Sequence, residues 1–200
     1  MKNPRLPSAP RTPRERGMTL IEILITTVIL VGVILIVMTI LIHSSKLHSK
    51  TMRRVESQGD ARQAVSLLST EIRQAGADPH NPPIGVVPIV AADSVTLHVR
   101  SDLNADGVIE TAEPSEDVTY FYNAGTRTLT RDPGSGASTV LANVSAMAFS
   151  YFDAAGNPLL PVPLTTANAA LVHSIGVSLT TVGRDSLPLN LSTTITLRNQ

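Results

Sequence analysis

An unbroken apolar run from Ile23 to Ile42, twenty residues without a charge, dominates the pattern of this chain. Wound as an α-helix it would span roughly 30 Å, the thickness of a bilayer's hydrocarbon core, and it predicts one membrane-spanning helix. The period then changes. Ala61, Val65, Leu68, Ile72 and Ala75 recur at three- and four-residue steps, while Arg62, Gln63, Ser69 and Arg73 take the other face. That spacing predicts an amphipathic helix continuing from the span. Gly76 supplies a helix stop and Pro79, Pro82 and Pro83 prevent resumption. The prediction is therefore one helix from about Met18 to Ala75, roughly 87 Å long, with Gly59 as its softest point.

From residue 84 the texture turns to short β-rich runs: Val86–Val90, Val95–Arg100, Val118–Tyr122, Thr128–Arg131, Val144–Phe152, Leu171–Val182 and Leu189–Arg198. They predict an antiparallel sheet with one face on the second half of the helix. Alternation is clearest at the end. Leu189, Leu191, Thr193, Ile195 and Leu197 fall on one side, and Asn190, Ser192, Thr194, Thr196 and Arg198 on the other. The Gly-, Pro-, Ser- and Thr-rich segments Asp132–Thr139 and Asn157–Thr166 read as surface loops. A head of about this size buries an adequate core only if the helix lends its apolar stripe, so helix and sheet are expected to fold as one α+β unit.

Charge adds little to this picture. Lys and Arg total 16 and Asp and Glu total 16, which gives no electrostatic case for a nucleic-acid partner. The chain has no cysteine, which fits either side of a membrane. Lys2, Arg5, Arg11, Arg14 and Arg16 precede the span, and Lys46, Lys50, Arg53 and Arg54 follow it closely, so the positive-inside bias is nearly a tie.

Residues 1–17 are basic and carry Pro4, Pro7, Pro10 and Pro13, which suits an extended leader. A secretory signal would have an apolar region of about 7–15 residues followed by a small-residue cleavage site. Here the small residue, Gly17, stands before the apolar run. Cleavage after it would leave Met18 as the new amino terminus, with Glu22 one helical turn away and the whole span retained. A carboxylate inside a membrane-grade helix costs about 2.5–3.5 kcal/mol on insertion scales and calls for a partner. A freed α-amino group is a cation that could neutralise such a carboxylate in low dielectric. The alternative is that Glu22 lies at the interface beside Arg14 and Arg16.

The stretch Arg16-Gly17-Met18-Thr19-Leu20-Ile21-Glu22 and the apolar run after it resemble the class III leader of type IV prepilins and type II secretion pseudopilins. The chain departs from the family pattern in having Met18 where most members begin with Phe, and Thr39 where many carry a helix-kinking proline. The segment Asp60–Pro79, with its Ile-Arg-x-Ala-Gly ending, is similar to the helix end of PilW-type minor pilins and J-type minor pseudopilins. The resemblance implies a pilin-like α+β fold, a long N-terminal helix packed on an antiparallel β-sheet head. It divides the chain into a leader (1–17), a transmembrane half-helix (18–42), an amphipathic half-helix (43–76) and a β-rich head (77–200).

It further implies cleavage between Gly17 and Met18 and methylation of Met18 by a prepilin peptidase/N-methyltransferase, and assembly through Glu22 with other pilins or pseudopilins on an inner-membrane assembly platform. The product would be a structural minor subunit, anchored in a bacterial inner membrane with its head in the periplasm and then carried into a type IV pilus or a type II secretion pseudopilus. The disulfide-bounded loop that many pilins carry near the carboxyl terminus is ruled out by composition. A second reading, from another class, is a single-span membrane-tethered calcium-dependent adhesion or binding module that keeps its leader and never joins a filament.

That calcium expectation comes from Asp102-Leu103-Asn104-Ala105-Asp106-Gly107-Val108-Ile109-Glu110-Thr111-Ala112-Glu113, which fits the twelve-residue loop D-x-[DN]-x-[DN]-G-x5-E at every specified place. Asp102, Asn104 and Asp106 would turn oxygens to one centre, Gly107 would allow the sharp turn and Val108 would offer its carbonyl. Glu113 would close the shell, and Glu110 would add a ligand directly or through water. Asp-Asn-Gly turns also join strands without any metal, and both readings stay open at this point.

Enzyme chemistry finds no foothold. The chain lacks Cys, G-x-S-x-G, H-E-x-x-H and a phosphate-binding Gly loop, and its five His residues are scattered. His43 and His48 do not share a helix face. His98 and His173 read as ordinary strand residues, and the aromatics around Tyr120 and Tyr151 as sheet packing.

Overall fold

The computed structural model describes residues 17–111, 115–182 and 188–199, with the side chains of residues 50, 53 and 54 excepted. Leader residues 1–16 and Glu113 lie outside the described residues. The chain divides into two units, Met1–Ser49 and Lys50–Gln200.

In the first unit, helix α1 (Leu20–Gln74) starts after Gly17, Met18 and Thr19, which are non-helical and exposed. The Thr19 carbonyl accepts the Glu22 and Ile23 amides at 3.1 and 3.3 Å and opens the helix. From Leu20 to Ser49 the helix is long and apolar enough to cross a membrane, and nearly all of its large apolar side chains are exposed. Its hydroxyls turn inward. Thr26 and Thr27 donate to the Glu22 and Ile23 carbonyls at 2.9 and 2.7 Å, and Thr39 donates to the Leu35 carbonyl at 2.8 Å. Each such back-bond spares an apolar medium an unsatisfied polar group.

In the second unit α1 continues unbroken through Gly59, the expected soft point. Ala61, Ala64, Leu68, Ile72 and Ala75 form the buried stripe. Val65 was expected in it but is half-buried at its margin, and the smaller Ala64 takes the central place. Small side chains at 61, 64 and 75 let the backbone come close to what it packs on. Gly76 ends the helix at a φ of 76°, and its amide donates to the Arg100 carbonyl at 2.8 Å.

The strands are β1 (Ile89–Ala92), β2 (Thr96–Arg100), β3 (Asp117–Asn123), β4 (Thr128–Asp132), β5 (Ser138–Leu141), β6 (Val144–Phe152), β7 (Ser174–Val182) and β8 (Pro188–Thr196). All pairings are antiparallel, as expected, but they build two sheets rather than one: β1-β2-β3-β4-β5 and β6-β7-β8. The core is filled from α1 and from both sheets, with Tyr120, Leu97, Tyr151 and Ile175 almost wholly buried.

Three local readings need correction. Val86–Val90 was expected as the first strand, yet Asp78 accepts the amides of Ile84, Gly85 and Val86 at 3.2, 2.7 and 3.2 Å. Those donors are unavailable to a ladder, and pairing starts only at Ile89. Asp132–Thr139 was expected to be all loop. Gly134 and Gly136 at positive φ complete the turn early, leaving Ser138 and Thr139 to pair with Arg131 and Thr130. Leu171–His173 was expected to be strand but follows a short helix, α2 (Thr166–Ala169), whose Thr165 hydroxyl accepts the Asn168 amide at 3.3 Å.

On the face of β2 and β3 opposite Leu97 and Val118, Asp117 bridges His98 and Arg100, the latter through Nε at 2.9 Å. Burial works against its charge, but these two partners hold the Asp117 carboxyl below its ordinary value of 3.8. Backbone amides do the same for Asp78, and Asn157 and neighbouring amides for Asp153. A carboxyl lowered by folding stabilises the fold fully above its unfolded value and loses that contribution as pH falls through the folded value. The melting temperature is therefore expected to change little from pH 6 down to about pH 4 on account of these groups, and to fall below that. Asp117→Asn should lower it at pH 6 and make the fall below pH 4 shallower, a comparison that calorimetry reads directly.

Candidate functional site

The amino-terminal site is laid out along the chain. Gly17 and Met18 sit in non-helical, exposed backbone, and among the described residues no heavy atom beyond the chain neighbours comes within 4 Å of where a Gly17 Cβ would lie. Glu22 is the acidic residue of the first turn of α1, a position the helix dipole favours for an anion. The ion pairs among the described residues are His98–Asp117, Arg100–Asp117 and Arg131–Glu71, and Glu22 takes part in none of them.

The acidic loop is the second site, and its backbone is folded by its own carboxylates. Asp102 is wholly buried, with one oxygen accepting the Ala105 amide at 2.7 Å and the other the Gly107 amide at 3.1 Å. Its own amide donates to the Ala77 carbonyl at 2.7 Å, fixing the loop to the end of α1. Asn104 Oδ1 accepts the Asp106 amide at 3.0 Å, and Asp106 Oδ1 the Val108 amide at 2.8 Å. Gly107 is required twice over. Its φ is 78°, and a Cβ there would stand 3.1 Å from the His80 ring. His80 Nδ1 carries its proton toward the Ala105 carbonyl at 2.9 Å, since a carbonyl can only accept.

Of the expected calcium ligands, Asn104, Asp106 and Glu110 come together. The Asn104 Nδ2 amide donates to Asp106 Oδ2 at 3.1 Å and to Glu110 Oε2 at 3.4 Å. Asp102 is buried with each oxygen on a loop amide, and Val108 has its side chain in solvent. Among the described residues no group of three or more His, Cys, Asp or Glu is placed to hold a metal ion, and Glu113 lies outside them.

The residue that the loop motif missed is Glu116. It is 1 % exposed, and its carboxylate accepts the amides of Leu103 at 2.6 Å, Asn104 at 3.1 Å and Glu110 at 3.1 Å. Its backbone also closes the loop, with its amide on the Glu110 carbonyl and its carbonyl on the Ser101 amide. A carboxylate that accepts three amides clamps both ends of the loop without any metal. The only sequence signal was an acid three residues beyond the motif, beside the start of a strand.

Taken together, the chain is an α+β protein whose N-terminal helix is long and apolar enough to cross a membrane and is followed by antiparallel β-sheets. No protein-family model matches it, and no curated protein matches it either.

Proposed function

We propose that this chain is a structural minor subunit of a type IV pilus or a type II secretion pseudopilus, cleaved after Gly17, methylated on Met18 and assembled through α1. The observation that supports this reading best is Glu22, a carboxylate in the first turn of an otherwise apolar helix with no ion pair among the described residues. Its natural complement is a cation brought by a neighbour, and the amine freed at Met18 is one. The exposed, non-helical Gly17–Met18 bond supports access by a prepilin peptidase. In this reading other pilins or pseudopilins and an inner-membrane assembly platform are the partners, and the head stands in the periplasm before assembly. Shearing of intact cells, or of membranes for a pseudopilus, should bring the chain down with other filament subunits. Its retention in the membrane fraction alone would count against assembly.

Calcium is a separate proposal for the head. It is favoured by the convergence of Asp106 Oδ2 and Glu110 Oε2 on the Asn104 amide, which leaves two carboxylates held together by one neutral donor. A divalent cation would neutralise both in place of the Asn104 Nδ2 donor, with the Val108 carbonyl adding a ligand. Saturating calcium would then stabilise the head by about 1.4–2.7 kcal/mol at ten to a hundred times its dissociation constant. The melting temperature is expected to rise by several degrees between chelator and millimolar calcium, and Asp106→Asn to shrink that rise. Equal melting temperatures in the two conditions would remove calcium from the account.

A further inference from the structure

The edge of a β-sheet presents backbone N–H and C=O groups without ladder partners, and proteins commonly shorten, cover or charge such edges. Three of the four sheet edges in this head follow that practice. β1 and β5 have four residues each. The outer side of β6 is occupied: Val144 donates to the Arg127 carbonyl at 2.9 Å, Phe149 to the Ser94 carbonyl at 2.8 Å, and Tyr151 accepts the Leu159 amide at 2.9 Å.

β8 does none of this. It is nine residues long, lies at the margin of β6-β7-β8 and contains no charged residue. It is registered on β7 along its whole length, from Val182↔Pro188 to Ser174↔Thr196. Among the described residues, no backbone group of Leu189–Thr196 bonds another backbone group beyond β7. The core is also unfinished on this side. Ile175, Val177 and Leu179 of β7 are at most 2 % exposed, whereas Leu189, Leu191 and Thr193 on the same face of β8 are only half-buried.

We propose that β8 pairs antiparallel with β8 of a second copy of this chain, about a two-fold axis at Ser192, joining the two three-stranded sheets across the dimer. The sequence of β8 is self-complementary in that register. Leu189 falls opposite Ile195, Leu191 opposite Thr193 and Asn190 opposite Thr194, so core-facing residues meet core-facing residues and exposed ones meet exposed ones. A slip of one residue would set Leu189 against the outward Thr196 and destroy the match. Because β8 is uncharged, the axis brings no like charges together. A two-fold contact needs a patch that complements itself, and β8 provides one.

The absence of native cysteine makes the register directly testable with the full chain in detergent. Light scattering should give a dimer. Ser192→Cys should form a disulfide-linked dimer on mild oxidation, because directly opposed Cβ atoms lie about 4.5–5.5 Å apart, close enough for a disulfide to form after a small adjustment. Asn190→Cys and Thr196→Cys, whose partners in this register are Thr194 and Pro188, should stay unlinked. All three positions are exposed, so the fold should tolerate the changes. Ser192→Lys should weaken the dimer by about tenfold, and mixing it with Ser192→Glu should restore association. A monomer at every concentration would overturn the proposal. So would a cross-link no stronger for Ser192→Cys than for Asn190→Cys, or linkage to a different protein alone.

Discussion

Glu22→Ala is expected to reduce recovery of the chain in the sheared filament fraction by about tenfold or more, with its amount in the membrane unchanged. The reasoning rests on where the charge sits. Glu22 occupies the first turn of α1, immediately before an uncharged run of twenty residues, and no ion pair within the described residues holds it. Alone near a bilayer it costs about 2.5–3.5 kcal/mol, and Ala at that position would make insertion easier. Failure to insert therefore cannot explain a loss of assembly. If the amine of Met18 on a neighbour is the partner, the variant strands that amine, and tenfold corresponds to only about 1.4 kcal/mol of lost pairing. Glu22→Gln keeps shape and polarity but not charge, and should fail nearly as badly. Normal assembly of both variants would assign Glu22 to the interface alone.

The second large effect is expected in the head, from Glu71→Ala. Glu71 Oε1 accepts from Arg131 Nε at 2.9 Å and Nη2 at 2.8 Å, and Oε2 accepts from the Tyr120 hydroxyl at 2.5 Å. One carboxylate on α1 thus fastens β3 and β4 of the five-stranded sheet. The Glu71 and Arg131 side chains retain only 15 % and 17 % exposure, and Tyr120 is fully buried. Burial, reinforced by Glu71, pushes the Tyr120 hydroxyl well above its ordinary range. Burial opposes the Arg131 charge, yet the Glu71 carboxylate more than offsets it and raises that group. Removing the carboxylate leaves the part-buried Arg131 guanidinium and the buried Tyr120 hydroxyl without their acceptor, at a cost of about 2–3 kcal/mol. That is a large fraction of a domain's net stability of about 5–15 kcal/mol. Denaturant unfolding should show the loss, while Arg62→Ala on the exposed face of the same helix should stay within about 0.5 kcal/mol of the parent. A Glu71→Ala loss no larger than that of Arg62→Ala would mean that the apolar stripe alone fastens helix to sheet.

Glu71 also shows where the sequence stops being readable. Periodicity locates apolar residues, and it found Leu68, Ile72 and the stop at Gly76. A charged residue bordering that stripe looks like any solvated one until the Arg and Tyr that meet it, 60 and 49 residues away, are known. Val144–Phe152 was legible to its ends because its partners leave one face buried and one open. β8 was legible from its alternation, half-buried or buried at Leu189, Leu191, Thr193 and Ile195 and exposed between them, although the expected strand to Arg198 runs two residues past its end at Thr196. β1 was misplaced because the competing acceptor for its amides, Asp78, lies upstream of the strand and carries no mark of that role. The acidic loop was recognised as a loop, but its fastening was not. Motif matching directed attention to Asp102 as a ligand and gave no sign that the fold uses Asp102 and Glu116 as acceptors for backbone amides. The proposed amino-terminal site, by contrast, is a reading of local sequence alone, from Gly17 to Glu22, and involves no tertiary contact among the described residues.

The central claim is entry into the filament pathway, and the mass of the N-terminal peptide tests it most directly. For protein isolated from its native membrane or from the sheared fraction, the account predicts a peptide that begins at N-methylated Met18, with residues 1–17 gone. A peptide that still carries residues 1–17 would contradict it and leave a single-span, membrane-tethered head.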